Sequence, residues 1–278
     1  MASTASHHHR LSASQGDLGA MLRRWRGMRG RSQLEVSADA GISQRHISFI
    51  ESGRSLPSRA TLMTLARILD VPLRERNALL LAAGYAPAYS EAAWDAEEFR
   101  HVSRALDRML AQHDPFPAVV LDRTWHVLKT NASAPRFFGS LVDLGRYPEP
   151  RNLLRMLFDP AALRPAIADW ESTALALLQR VHRESVGRAL DDATLALIES
   201  LLAFPDVPQA WPPEPARGAG PSLPVIPVGF KHGGTVLNFF SMVATVGTPG
   251  AVAAQELRLE CMFPADEATE AAYARMLG

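Results

Sequence analysis

Apolar positions recur with helical spacing through the first third of the chain. Leu18, Met21, Leu22, Trp25 and Met28 share one face of a helix predicted over Asp17 to Met28, and Arg23, Arg24, Arg26 and then Arg29 occupy the other. Ser32 stands three residues before Glu35, the spacing of a capping box, and opens a second helix with Leu34, Val36 and Ala40 as its apolar positions. Gly41 breaks that helix and Ser43 caps a third. From the third helix Ile47 and Ile50 turn inward, while Gln44, Arg45, His46, Ser48 and Phe49 point out; Gly53 ends it. Ser58 caps a fourth helix striped by Leu62, Leu65, Ile68 and Leu69. Pro72 suits the first position of a fifth, which Gly84 ends. The five helices make a small domain over residues 16–90.

The period changes further on. Ala96 to His113 reads as an amphipathic helix with Phe99, Val102, Leu106, Met109 and Leu110 on one face, linking the first domain to the second or pairing with its own copy in a dimer. Ala118 to Asp122 and Trp125 to Thr130 are short strand-like runs around Arg123-Thr124. Asn131 and a short helix with Phe137 and Phe138 come next. Further helices are predicted over Asn152 to Phe158, Ala166 to Val186 and Asp192 to Phe204. Residues 205–227 hold eight prolines, which rules out regular helix there. Leu223 to Phe230, Thr235 to Val246 and Glu256 to Phe263 read as strands, and Pro264-Ala265-Asp266 opens a terminal helix. The chain thus divides into a polar tail (1–15), a helical domain (16–90), a linker helix (91–113) and a mixed domain (114–278).

Charge sharpens this division. Net charge is zero, but residues 1–90 hold twelve arginines, no lysine and six acidic residues, a surplus of six positive charges that the rest of the chain cancels. A basic helical domain on an acidic body points to a polyanionic partner for the first part alone. For the arginines of the first helix the plain reading is a solvated face, which the family resemblance given below sets equal to a position near phosphates. One cysteine, Cys261, excludes an internal disulfide framework, and its apolar strand suggests a buried, inert thiol. The first thirty residues lack the apolar core of a signal peptide, and no apolar run reaches the roughly 18 residues of a membrane span. The expectation is a cytoplasmic protein without membrane insertion. His7, His8 and His9 receive no function.

The segment Ser32 to Pro57 resembles the helix-turn-helix of XRE-family transcription regulators, through Ser32-Gln33, Ala40 to Ser43, and the run ISFIESGRSLPS from Ile47 to Ser58. From about Arg74 onward the resemblance narrows to the MmyB-like subgroup, on PLRERNALLLAAGYAP, AVVLDRTWHVLKTNASA, NLLRMLF and VGTPG with ELRLECMFPADEAT. It covers roughly residues 16–272. Two positions depart from that subgroup: Gly250-Ala251 where an aspartate usually follows the GTP motif, and Phe158 where His usually precedes Asp159-Pro160. The resemblance implies an α+β chain: an all-α five-helix, lambda-repressor-like domain, then a PAS-like sensor domain with an antiparallel sheet. It implies double-stranded DNA as partner, bound at a pseudo-palindromic operator by a homodimer, and a small apolar, fatty-acid-like ligand.

Residue chemistry agrees where it can be read. Gln44 and Arg45 at the start of the third helix suit adenine and guanine edges. Ser43, His46, Ser48 and Phe49 complete the reading face, with Gln33, Arg54 and Ser55 placed for phosphate. Trp125, Phe137, Phe138, Leu153, Met156, Leu157, Trp170, Phe239, Phe240 and Met242 are candidates to line an apolar pocket or simply to fill a core. Arg151, Asn152 and Arg155 are candidates for a carboxylate head group, against solvated arginines or pairing with acidic C-terminal residues.

Catalysis finds no support. His232-Gly233-Gly234 has no nucleophile elbow to accompany it and reads better as a hairpin turn. The chain has no phosphate-binding loop, no H-E-x-x-H and no paired cysteines, so neither cofactor nor metal is expected. The competing expectation is a helical adaptor with a C-terminal dimerisation module and no ligand. Apolar groups in place of Gln44, Arg45 and His46 would favour it; only Phe49 does.

Overall fold

The structure, a computed structural model, describes residues 18–186, 192–207 and 227–277. The tail with His7–His9 and the connector over 208–226 lie outside the described residues. The chain forms two compact units. One contains residues 18–93 together with Thr248–Gln255, and the other contains the described residues of 94–247 with those of 256–277.

The first unit is built on five helices: α1 (18–28), α2 (Gln33–Ala40), α3 (Gln44–Glu51), α4 (Arg59–Ile68) and α5 (Leu73–Ala82). The caps arise from the sequence. Ser32 and Glu35 form the capping box of α2, and Ser43 and Ser58 accept from the backbones of His46 and Thr61. Gly41 ends α2 at φ 65°, a left-handed conformation that costs other residues about 1–2 kcal/mol. Trp25, Ile50, Leu62, Leu65, Leu79 and Leu80 fill the core. At Gly19 a Cβ would stand 2.6 Å from the Glu51 carbonyl, so α1 and α3 meet backbone to backbone only because Gly19 has no side chain.

Two expectations change here. Leu34 is 62% exposed: Gln33, Val36, Ser37 and Ala40, spaced at i, i+3, i+4 and i+7, face the core, and Leu34 points away. Pro72 is the N-cap of α5 rather than its first residue, and it brings no capping side chain. Gln255 supplies that group, accepting the Leu73 N–H through Oε1 at 2.7 Å. Gln255 belongs to the short helix α11 (Val252–Glu256), where sequence suggested a connection leading to a strand from Glu256; Val252 is fully buried and donates to the Ser90 carbonyl. Buried Asn77 holds the 85–91 segment by accepting from Ala88 and Tyr89 and donating to Tyr89 and Glu91.

The second unit is a five-stranded antiparallel sheet of β1 (Ala118–Leu121), β2 (Val127–Thr130), β3 (Val228–His232), β4 (Thr235–Ala244) and β5 (Arg258–Pro264), in the order β2-β1-β5-β4-β3. Helix α6 (Arg100–His113) follows a 3₁₀ turn at Glu97–Phe99 and covers one face through Leu106 and Leu110, against Ala118, Val120, Leu257 and Leu259. The other face meets α7 (Ser133–Leu141), α8 (Leu153–Phe158), α9 (Trp170–Val186), α10 (Asp192–Leu202) and the terminal α12 (Glu267–Leu277). Asn131 joins β1, β2 and α7. Its Oδ1 accepts from Ala118 and Ala134, and its amide donates to Phe116.

Three elements differ from expectation. Trp125 lies outside β2, in a turn at φ 70°, because the Asp122 carboxylate accepts from the Thr124 and His126 backbones and curls the chain there. Helix α9 starts at Trp170, not Ala166. Residues 167–168 are drawn out beside β3, Ile167 bridging Phe230 and Ala168 donating to the Gly229 carbonyl. β3 begins at Val228, just after Pro227, and residues 223–226 of its expected span lie outside the described residues.

Candidate functional site

The first site is the exposed end of α3. Ser43 caps the helix, and Gln44 and Arg45 stand exposed in its first turn, with His46, Ser48 and Phe49 half-buried beside them. The Arg45 and Arg54 guanidiniums lie over the Phe49 ring, at 5.1 and 5.9 Å from its centre. Among the described residues neither arginine is paired with a carboxylate. Phe49 therefore lies beside two guanidiniums, and its half-buried ring is less open to an apolar partner than the sequence suggested. Ser55 and Arg54 follow the helix, their N–H groups donating to the Phe49 carbonyl.

The inner end of α3 is fixed by charge. Arg26 donates from Nε and Nη2 to the two Glu51 oxygens, at 2.6 and 3.0 Å, and Gln33 Nε2 donates to Glu51 Oε2 at 2.8 Å. Arg23 donates to the Glu51 carbonyl. Burial pushes the Glu51 carboxyl up, but hydrogen bonds from Arg26 and Gln33, with the charges of Arg26 and Arg23, outweigh it and hold it below the ordinary carboxylate range. Arg29 donates to the Leu69 and Asp70 carbonyls at the end of α4. Arg23 and Arg26 of α1, and Arg29 just past its end, are thus committed within the unit, a third outcome beside the two weighed from sequence. Gln33, expected at phosphate, has its amide turned to Glu51.

The second site lies between the sheet and the helices of the second unit. A cavity of about 560 Å³ is lined by Val119, Val127, Ala134, Met156, Lys129 and Arg151, among others. A second, of about 400 Å³, is lined by Trp125, Leu177, Arg180, Phe230, Phe239 and Glu260 among others. Both volumes suit a small molecule. At the second cavity Arg180 grips Glu260 through two hydrogen bonds of 2.5 and 3.2 Å. Arg180 and Arg258 also lie over the buried Trp125 ring, at 4.7 and 4.6 Å from its centre. At the first, Arg151 meets Glu149, and Lys129 meets Asp107 and Ser103.

Of the expected lining residues, Trp125, Phe138, Arg151, Leu153, Met156, Leu157, Phe239 and Phe240 face one or both cavities. The others do not. Phe137 is fully buried among Phe138, Phe230, Phe239 and Tyr273. Trp170 packs edge-on against Phe158 under the Arg164 guanidinium. Met242 is 61% exposed, in the last third of β4, where Ser241 and Val243 are exposed as well. Asn152 caps α8 and donates to the Thr124 carbonyl, and Arg155 is exposed. Sequence reading missed Lys129, Arg180 and Glu260. Glu260 carried a signal, since an acid inside the apolar run of β5 requires a buried cation.

Among the described residues no group of three metal-ligating side chains comes together, and no helix is long and apolar enough to cross a membrane.

A capped, cation-fringed helix on a five-helix unit, and a cavity-bearing sheet unit after it, are the features of a helix-turn-helix followed by a ligand-binding domain. The comparisons give the family. Residues 22–76 match the helix-turn-helix model and residues 102–276 match the MmyB-like transcription regulator ligand binding domain. The chain belongs to the MmyB-like transcription regulators, as a DNA-binding regulator with a ligand-binding domain. Its domains match a regulator rather than an enzyme family. A comparison with curated proteins finds no match. Among solved structures the chain is similar to an RNA-binding light-oxygen-voltage receptor, at 12% identity over 99% of this chain and 67% of that one, with a TM-score of 0.23. A likeness at that level carries no argument here.

Proposed function

We propose that the protein is a cytoplasmic, ligand-responsive regulator that binds a pseudo-palindromic operator as a homodimer. The observation that carries the DNA reading is the first turn of α3, where Gln44 and Arg45 are exposed on a helix whose other side is fixed by Ile47, Ile50 and Glu51. Gln44 and Arg45 read base edges, with Ser43, His46, Ser48 and Phe49 beside them. Arg54 and Ser55 hold the phosphates, while Gln33 steadies Glu51 from within the unit.

The sensor, a PAS-like domain on this reading, takes an apolar ligand with a carboxylate head, of the fatty-acid type. Arg151 and Lys129 are the cations at the first cavity, and Glu149, 74% exposed, is a screened partner that a ligand carboxylate replaces at little cost. Coupling runs along the chain, which passes between the two units at Ala93–Trp94, Gly247–Thr248 and Gln255–Glu256. Helix α6 comes after the first crossing, and α11 spans the last. A ligand shifts operator affinity only by its preference for one state, ordinarily about 1–3 kcal/mol.

The test titrates operator DNA at fixed salt against delipidated protein with and without medium- and long-chain fatty acids. Binding of an acid with a roughly five- to 150-fold change in operator affinity is the expected result. No binding, with operator affinity unchanged by delipidation, leaves the domain as a dimerisation or docking module.

A further inference from the structure

The two cavities share two lining residues, Phe138 and Leu153. Each is 8% exposed and belongs to a different helix, Phe138 to α7 and Leu153 to the start of α8. The Phe138 ring meets the Phe137 ring edge-on at 5.2 Å and the Phe230 ring at 6.4 Å, and Phe230 lines the second cavity. We infer that the two cavities are chambers of one ligand site, divided by a removable apolar partition of Phe138 and Leu153. The site's ligand is then a single-chain amphiphile whose anionic head stays at the first chamber and whose tail passes the partition into the second. This rests on the ligand reading above.

The charges of the chambers fix the direction. In the second, Arg180 and Glu260 already hold each other bidentately, their side chains 19% and 8% exposed, and a head group would have to break that buried pair. In the first, Arg151 faces the largely exposed Glu149, so its charge is exchangeable. The partition presents carbon only, so a passing tail breaks no hydrogen bond. It trades one apolar contact for another by rotation about side-chain bonds. Either chamber alone falls in the lower half of the roughly 300–1,000 Å³ range of small-molecule sites, and joined they reach its upper end.

The experiment measures affinity and stoichiometry by calorimetry for unbranched saturated alkanoic acids of increasing length, on the delipidated full-length protein. One acid is expected per chain, with affinity rising about fourfold for each further methylene buried. Ala176→Phe fills the second chamber from a half-exposed position on α9; it should end that rise at a shorter chain while short acids bind as before. Phe138→Leu thins the partition and should strengthen long acids relative to short ones. Two acids bound per chain overturn the inference, as does an Ala176→Phe profile that matches the wild type at every length. Stoichiometry on the wild type decides the matter if either variant fails to fold. If no acid binds, the inference falls together with the ligand reading, whereas binding confined to short acids overturns the partition alone.

Discussion

Arg26 of α1 holds both carboxylate oxygens of Glu51, the last residue of α3, and does so where only 3% of the Glu51 side chain is exposed. Removing one partner of such a pair strands the other. Glu51→Ala should therefore cost the helical unit about 3–5 kcal/mol in chemical denaturation. The pH sign is set by the lowered carboxyl. Its contribution is fully present above the ordinary value of 4.5 and is lost as pH falls through the lower, folded value. Acid titration of the wild type should show that loss, and Glu51→Gln should flatten it.

For DNA, Gln44→Ala and Arg45→Ala should each weaken operator binding by about 1–3 kcal/mol and leave random DNA nearly unaffected, measured by competition titration. Equal loss on both would assign these side chains to phosphate. Arg54→Ala should weaken all sequences alike and make the salt slope shallower by about one unit. Because Arg54 also covers Phe49, circular dichroism of the variant should accompany the titration.

Gln255 lies far along the chain from the helix that it caps. Gln255→Ala leaves the buried Leu73 N–H without its acceptor and should lower the stability of the helical unit by about 1 kcal/mol. Thermal unfolding monitored at Trp25 would read it. An unchanged midpoint would show that water replaces the side chain.

Tyr273 is fully buried and donates its hydroxyl to the Pro115 carbonyl at 2.9 Å. Burial, then the nearby Asp114 charge, push its phenol up to about 12, against a smaller opposing effect of Arg136. Raised in the fold, this group contributes stability that is whole below its ordinary value of 10 and is lost as pH rises towards 12. The wild type should therefore lose about 2 kcal/mol across that interval that Tyr273→Phe does not lose. Denaturant melts at stepped pH test this, wild type and variant side by side.

What the sequence determined was local. The caps at Ser32, Ser43 and Ser58, the left-handed Gly41 and the inward pair Ile47 and Ile50 depend on residues a few positions apart, so spacing sufficed to place the helix-turn-helix and its exposed Gln44 and Arg45. What the tertiary structure decided was every relation across long separations. Short apolar runs in the second unit showed strands and helices but not which side chains face a cavity. Phe137 and Phe138 are neighbours in sequence; one fills the core and the other lines both cavities, because successive residues on a helix point in different directions. The fate of the arginines was likewise invisible, since Arg26 finds Glu51 only once α1 and α3 meet at Gly19. Gln255 gave no sign of its role either: a cap was missing at Pro72, and only the folded chain brings the acceptor back to it.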